Sequence, residues 1–247
     1  MFKKIQPGTT SRLTIVDHEE TYGRSLLEKI SKNWQVDTCV DLGCGHGTDL
    51  QIVKNNFPEA KLFGVDFGDW NKDKLREKKI QVISVNIESE KLPFNDSSVD
   101  LIIANQVLEH TKEIYWINHE VFRVLKKGGQ FFVGVPNVSS LHNRILGLFG
   151  VHPTQAKLIS AHVRVFSKSD TLAFYEIIAN RFCKLTGFYG SQFYPFPKKI
   201  ARFLSRMFPT FAFSIFFVFT KTERYEGEFL QHPQSNVLET NFFLGEG

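Results

Sequence analysis

The stretch Asp41-Leu-Gly-Cys-Gly-His-Gly47 follows the apolar run Thr38-Cys-Val and precedes a helical pattern. Glycines at Gly43, Gly45 and Gly47 let a backbone pass close to a ligand. A helix opening just after them aims its first amides at the same spot. The chemistry those residues offer is the holding of a nucleotide-like cofactor near residue 45. A dinucleotide fingerprint, G-x-G-x-x-G/A, fails at Thr48, because the last glycine comes one residue early. A Walker loop fails as well, since no Gly-Lys-Ser/Thr follows. The same residues could also serve as a bare strand-to-helix connection, so the surrounding elements have to decide.

Those elements supply more. Lys61-Leu-Phe-Gly-Val-Asp66 reads as a second strand ending in an acid, placed to accept both hydroxyls of a ribose. A third strand, Gln81–Val85, ends at Asn86-Ile87, and a fourth, Val99–Asn105, ends at Asn105-Gln106. All these ends would line the carboxyl edge of one parallel sheet, where open α/β folds bind ligands.

With Val40–Gly47, Gly64-Val-Asp66, Asn86-Ile87 ahead of Leu92-Pro-Phe94, Ser98–His110 and Arg123-Val-Leu-Lys-Lys-Gly-Gly129 in this order, the chain resembles the class I S-adenosylmethionine-dependent methyltransferases. The resemblance covers residues 35–136 and weakens on both sides. It implies an α/β fold: a doubly wound, mostly parallel, seven-stranded Rossmann-like sheet with an antiparallel last strand and a helical lid insertion.

The resemblance also implies roles. Asp41 and the backbone from Gly43 through Cys44 to Gly45 would hold the methionine end of S-adenosylmethionine. Asp66 would take the ribose hydroxyls, with Phe67 beside the adenine. Asn86 stands where the family usually has Asp; its amide oxygen can still accept from the adenine amino group, without the charge. Ile87 would present a backbone amide to the ring, and Asn105 would face the methionine amine.

A hydroxyl acceptor benefits from a general base that titrates near the working pH. His110, a few residues past the fourth strand, is the catalytic candidate on the acceptor side. The other reading has it packing under the cofactor. Glu109 reads as a helix-start or structural carboxylate, and His46 as pointing outward from the turn with no role.

Length and composition are consistent with this. The 247 residues suffice for one large domain or a domain with a lid, and 42% of them are hydrophobic. Three cysteines, Cys39, Cys44 and Cys183, show no metal-ligand spacing, so no metal site is expected and a reducing, cytoplasmic setting is the simplest reading. The first 20 residues show no apolar signal core, and no uncharged apolar run approaches a membrane span. The net charge of +4 is mild.

Along the chain, 1–34 read as an N-terminal cap, with Tyr22, Leu26 and Ile30 on one face of a helix over His18–Lys32. Residues 35–136 form the cofactor-binding core, 137–167 a lid insertion, 168–222 the rest of the core sheet and 223–247 a tail. Helices are expected over 49–57, 112–125 and Ser169–Cys183, with strands at Gln130–Val135 and Phe213–Thr220. The lid's polar candidates are His142, Arg144, His162 and Arg164, set either to choose an acceptor or to form a solvated cap. From Arg181 to Thr222 there are seven Lys or Arg and no acid. Within it, a short helix after Pro197 groups Ile200, Phe203, Leu204 and Met207 on one side and Lys198, Lys199, Arg202 and Arg206 around the other. That pattern suits an ordinary surface helix, or an interfacial one approaching anionic lipid through 198–207.

The expected function is methyl transfer from S-adenosylmethionine, with S-adenosylhomocysteine as product, to a small-molecule acceptor. The expected acceptor atom is a hydroxyl oxygen of a sugar, polysaccharide precursor or natural product. Alternatives are a quinone-like or protein acceptor, or a non-catalytic cofactor-binding subunit. An NAD-dependent oxidoreductase is disfavoured by Thr48. Nucleic acid is not an expected partner: residues 105–108 carry no Asn/Asp-Pro-Pro-Tyr-type element, and there is no dense basic tract.

Overall fold

The computed structural model describes residues 18–68 and 71–242. The polar leader before residue 18 and Phe243 of the tail lie outside the described residues. Seven strands form one sheet: β1 (Thr38–Leu42), β2 (Lys61–Asp66), β3 (Gln81–Ser84), β4 (Val99–Asn105), β5 (Leu125–Pro136), β6 (Cys183–Ser191) and β7 (Ser214–Lys221). Their order is β3-β2-β1-β4-β5-β7-β6. Strands β1 to β5 pair in parallel, and β7 runs antiparallel to both β5 and β6. The winding reverses between β1 and β4, and a crevice opens at the carboxyl ends of strands flanking such a point.

Helices α1 (His18–Thr21), α2 (Arg24–Ser31), α3 (Thr48–Asn56), α4 (Lys72–Glu77), α5 (Ile114–Val124), α6 (Leu141–Leu148), α7 (Lys168–Ala179), α8 (Lys198–Met207) and α9 (Glu228–Ser235) surround the sheet. The helix expected over His18–Lys32 is thus two helices. They break at Gly23, whose φ is 58° and where a Cβ would meet the Phe216 ring at 2.5 Å. Close docking of this turn on β7 requires a residue without a side chain. Leu27 and Ile30 point inward, while Tyr22 and Leu26 are half-buried.

Continuous apolar strands bury both faces of the sheet. One face packs Leu27, Leu50, Val53, Phe132 and Phe216. The other packs Phe122, Phe131, Phe182, Phe219 and Phe229. The tail therefore folds back: Phe229 on α9 is fully buried and stacks on Phe122 with centroids 5.6 Å apart. The helix expected to reach Cys183 stops at Ala179, and Cys183 opens β6 instead. Lys221, the last residue of β7, is buried and donates to the carbonyls of Phe122 and Leu125 at 2.6 and 2.7 Å, which closes the C-terminus of α5. All three cysteines are free and buried.

The insertion over 137–167 is clasped at its base. Asn137 bridges to Phe166, and Val138 N–H donates to the Phe166 carbonyl at 2.8 Å. Inside, the buried Asn143 amide donates to the Asn137 carbonyl (3.1 Å) and to Gln155 Oε1 (2.5 Å), and accepts from Thr154 N–H (3.1 Å).

Helix α8 buries its smallest residues. Ala201 and Ser205 are buried, and Ala201 packs with Phe193 and Ala212, which lets the helix approach closely. Ile200, Phe203 and Met207 are left 47, 63 and 59% exposed. Lys198 and Arg202 instead reach Glu20 of α1, which is buried. Among the described residues, no helix is long and apolar enough to cross a membrane.

Candidate active site

The turn from β1 into α3 takes its shape from left-handed residues. Gly45 has φ 49° and nothing within 4 Å of where a Cβ would stand, so its missing side chain leaves open space. Gly47, with φ 68°, is different: a Cβ there would meet Leu75 at 2.4 Å, so that glycine serves packing. Gly45 N–H donates to Asp66 Oδ2 at 3.1 Å, and Asn71 Nδ2 donates to the Gly45 carbonyl at 3.1 Å. The tip of β2 and the glycine turn are thereby locked together.

Two cavities meet at Gly43. The larger, about 310 Å³, is lined by Gly43, Val65, Asp66, Phe67, Val85, Asn86, Ile87 and Glu88. The smaller, about 170 Å³, is lined by Tyr22, Arg24, Asp41, Gly43, Cys44, Gly45, His46, Thr48, Asp49, Asn105 and Gln106. Every expected cofactor residue thus lines one cavity or the other.

Electrostatics differ along the cleft. In the smaller cavity Asp41 and Asp49 are both buried. Burial first, then the charges of Asp49 and Asp66, push the Asp41 carboxyl well above the usual range. Arg24 Nε meets Asp49 Oδ1 at 3.3 Å, and Asn105 Nδ2 donates to Asp49 Oδ2 at 2.7 Å and to the Tyr22 carbonyl at 2.9 Å. The Asn105 amide is therefore a clamp between the α1–α2 turn and α3, and its Oδ1 is buried without a partner. At the far end Phe67 is 74% exposed, a free ring at the cavity wall. Asn86 Oδ1 accepts from Glu88 N–H at 3.0 Å, shaping the loop that carries Ile87.

An ammonium suits the paired acids, a diol suits Asp66, and a flat apolar ring suits Phe67, Val85 and Ile87. These residues fit S-adenosylmethionine. Sequence reasoning missed Arg24, Asp49 and Gln106. Asp49 carried a signal, an acid in the first turn of the helix after the glycines. Gln106, at φ 58°, carried none.

Val107 leans over Gly43, where a Cβ would meet its Cγ2 at 2.6 Å. The turn 108–110 therefore starts next to the cofactor cleft. Glu109 is 1% exposed, in the middle of a 3₁₀ turn rather than at a helix start, and Oε2 has no partner. Burial pushes its carboxyl up to about 8. The His110 side chain is 45% exposed, and Nδ1 lies 3.3 Å from the Ala161 carbonyl. Of the lid's polar candidates, His162 sets its ring against His110, with centroids 4.8 Å apart. His142 is spent between Ser140 and Thr154, Arg144 on the Ser139 carbonyl, and Arg164 on the Thr111 and Lys112 carbonyls. A further cavity of about 390 Å³ lies between Leu108, the segment 163–166, and Tyr115, Phe174 and Tyr175.

Residues 40–133 match the family described as methyltransferase domain. Demethylmenaquinone methyltransferase of Lactobacillus johnsonii is 30% identical over 140 residues, 51% of this chain and 56% of that protein. A probable S-adenosylmethionine-dependent methyltransferase of Mycolicibacterium smegmatis is 30% identical over 98 residues, 40% of this chain and 37% of that protein. The chain spans about half the length, or less, of these curated relatives. Among solved structures, the plantazolicin methyltransferase BpumL in complex with SAH aligns with a TM-score of 0.59 at 16% identity, covering 83% of this chain and 86% of that one. The putative methyltransferase complexed with the Haloferax volcanii Trm112 activator aligns equally well, at 0.59 and 16%, covering 85 and 91%. With the glycine turn, the acidic strand tip and the strand order in place, residues 40–133 are a class I S-adenosylmethionine-dependent methyltransferase domain.

Proposed function

We propose that this chain transfers a methyl group from S-adenosylmethionine to a hydroxyl oxygen of a small molecule, a sugar, polysaccharide precursor or natural product. The observation that carries the reading is the graded cleft: buried acids at one end, Asp66 in the middle, an exposed Phe67 ring at the other and open space above Gly45.

In this reading Asp41 and the main chain of Gly43, Cys44 and Gly45 receive the methionine end, with Asn105 at its amine. Asp66 takes the ribose diol, Phe67 lies against the adenine, and Asn86 and Ile87 meet its edge. The bound cofactor supplies an activated methyl on a sulfonium, so the chain's task is to position an acceptor and exclude water. His110, half-exposed beside the lid, is the catalytic residue of the proposal and promotes loss of the acceptor proton. The names of the similar demethylmenaquinone and plantazolicin enzymes support a small organic acceptor. The cavity beside Leu108 and Phe166 is the room proposed for it. Three free, buried thiols suit a reducing cytoplasm.

Calorimetry with S-adenosylhomocysteine tests the reading: one saturable site in the micromolar range is expected, and no heat at high micromolar ligand overturns it. An acceptor screen coupled to S-adenosylhomocysteine release then sorts hydroxyl compounds.

A second reading concerns where the acceptor resides. The solvent-facing Ile200, Phe203 and Met207 beside Lys199 and Arg206 support contact of α8 with an anionic membrane surface. Cosedimentation with phosphatidylglycerol vesicles at low salt, lost in Lys199→Glu/Phe203→Ser/Arg206→Glu, is the expected result. Equal sedimentation of parent and variant would remove the reading.

A further inference from the structure

We propose that Glu109, His110 and His162 hold a divalent metal ion at the acceptor side of the cleft. One ligand atom from each lies within 4.8 Å of the others. Two come from a single turn after β4, the third from the lid, 52 residues beyond His110. That distance is why cysteine and histidine spacing showed no metal site.

The local hydrogen bonds leave lone pairs converging on one gap. The Ala161 carbonyl can only accept, so the His110 Nδ1 contact places the proton there and leaves Nε2 as a lone-pair donor. His110 Nε2 faces Glu109 Oε1 at 3.9 Å, too far for a hydrogen bond. Glu109 Oε2 and His162 Nδ1 are both buried with no partner. A carboxylate that is 1% exposed, with no Lys or Arg paired to it among the described residues, is costly to keep charged. A cation in the gap would satisfy all these groups together. Metal ligands bind at about 2.0–2.2 Å, so the three side chains would draw closer together around one ion.

The main chain holds the arrangement ready. Val163 and Arg164 N–H both donate to the Glu109 carbonyl, at 2.8 and 3.1 Å, and Arg164 also grips the Thr111 carbonyl at 3.2 Å. The lid segment carrying His162 is thus stitched to the turn carrying the other two ligands. Two imidazoles and one carboxylate leave coordination positions open, and imidazole ligands suit zinc, iron or nickel more than magnesium. An open position can take a hydroxyl oxygen and lower its pKa. The inference rests on the methyltransferase reading only for naming that oxygen as the acceptor's. It refines the part given to His110, which would then serve as a ligand of the ion, while the acidified hydroxyl would lose its proton to solvent water as its oxygen takes the methyl.

The test is metal binding by the full chain, stripped with chelator and titrated with zinc chloride, and separately with manganese chloride followed by the loss of free-ion electron paramagnetic resonance signal. One equivalent bound with a micromolar or tighter Kd is expected for at least one ion. His162→Ala and, separately, Glu109→Gln should weaken it about 10- to 100-fold, the range for loss of groups in a metal site. S-Adenosylhomocysteine binding by His162→Ala should stay unchanged, showing an intact fold. Saturation only at millimolar ion, or equal binding by His162→Ala, overturns the proposal. If Glu109→Gln fails to fold, the His162→Ala comparison decides alone. One tight equivalent of metal with no S-adenosylhomocysteine binding would leave the ion site standing and remove the methyltransferase reading.

Discussion

The cleft has two halves of different construction. The half proposed to hold the cofactor is built from strand tips and one glycine turn within residues 41–105, held by main-chain bonds such as Gly43 N–H to the Val65 carbonyl at 2.7 Å. The half proposed to face the acceptor joins the 108–110 turn to an insertion that begins 27 residues further on. Its bonds draw on side chains: His142 to the Thr154 hydroxyl, Asn143 to the Gln155 amide, Arg164 to the Thr111 carbonyl. The first half is fixed by local geometry that any sequence with the same turn must adopt. The second is fixed by a set of polar pairings particular to this chain.

If that difference holds, changes in the two halves should separate. The largest effect is expected for Gly45→Val. Its left-handed φ costs about 1–2 kcal/mol of stability for a residue with a Cβ, and the new side chain fills the open space above the turn. S-Adenosylhomocysteine affinity should fall on the order of 100-fold, or ~2.7 kcal/mol, while the protein stays folded by circular dichroism. Retained affinity would break the comparison at its first half. Asp66→Ala should come next: it removes charge-assisted bonds to a diol worth about 1.5–3 kcal/mol. Calorimetry should show weakening with 2′-deoxy analogues no longer discriminated.

Asn143→Ala tests the second half. It leaves the Gln155 and Thr154 partners unsatisfied inside the lid, about 1–3 kcal/mol of local cost. Acceptor KM should rise several-fold with S-adenosylhomocysteine affinity unchanged; a parallel loss of both would mean the halves are not separable. The smallest effect is expected for Phe67→Ala. An exposed ring stacked on adenine contributes about 0.5–1.5 kcal/mol, so calorimetric affinity should drop by no more than roughly tenfold.

The same division governed what could be read from residues alone. Asp41, the glycines and Asp66 sit at strand ends that apolar runs announce, so the cofactor half was legible. So was α6, from its helical spacing. The pairing of His162 with Glu109 and His110 was not, because contact across half a lid leaves no periodic trace. For helix α8 the sequence left two readings open, and which face it buries depended on packing: Ala201 meets Phe193 and Ala212. The break at Gly23 depended on the Phe216 ring, 193 residues away in sequence.

The clasp between Asn137 and Phe166 gives the insertion a single point of entry and exit. The pairings of β5 with β4 and β7 end at Gly134 and Pro136, so none of them uses a residue between Asn137 and Phe166. The insertion is in that sense a cassette. A relative could exchange 138–165 for a segment of other length and chemistry and inherit the methyl-donor apparatus intact. If the insertion faces the acceptor as proposed, grafting that segment between chains of this architecture should move acceptor preference.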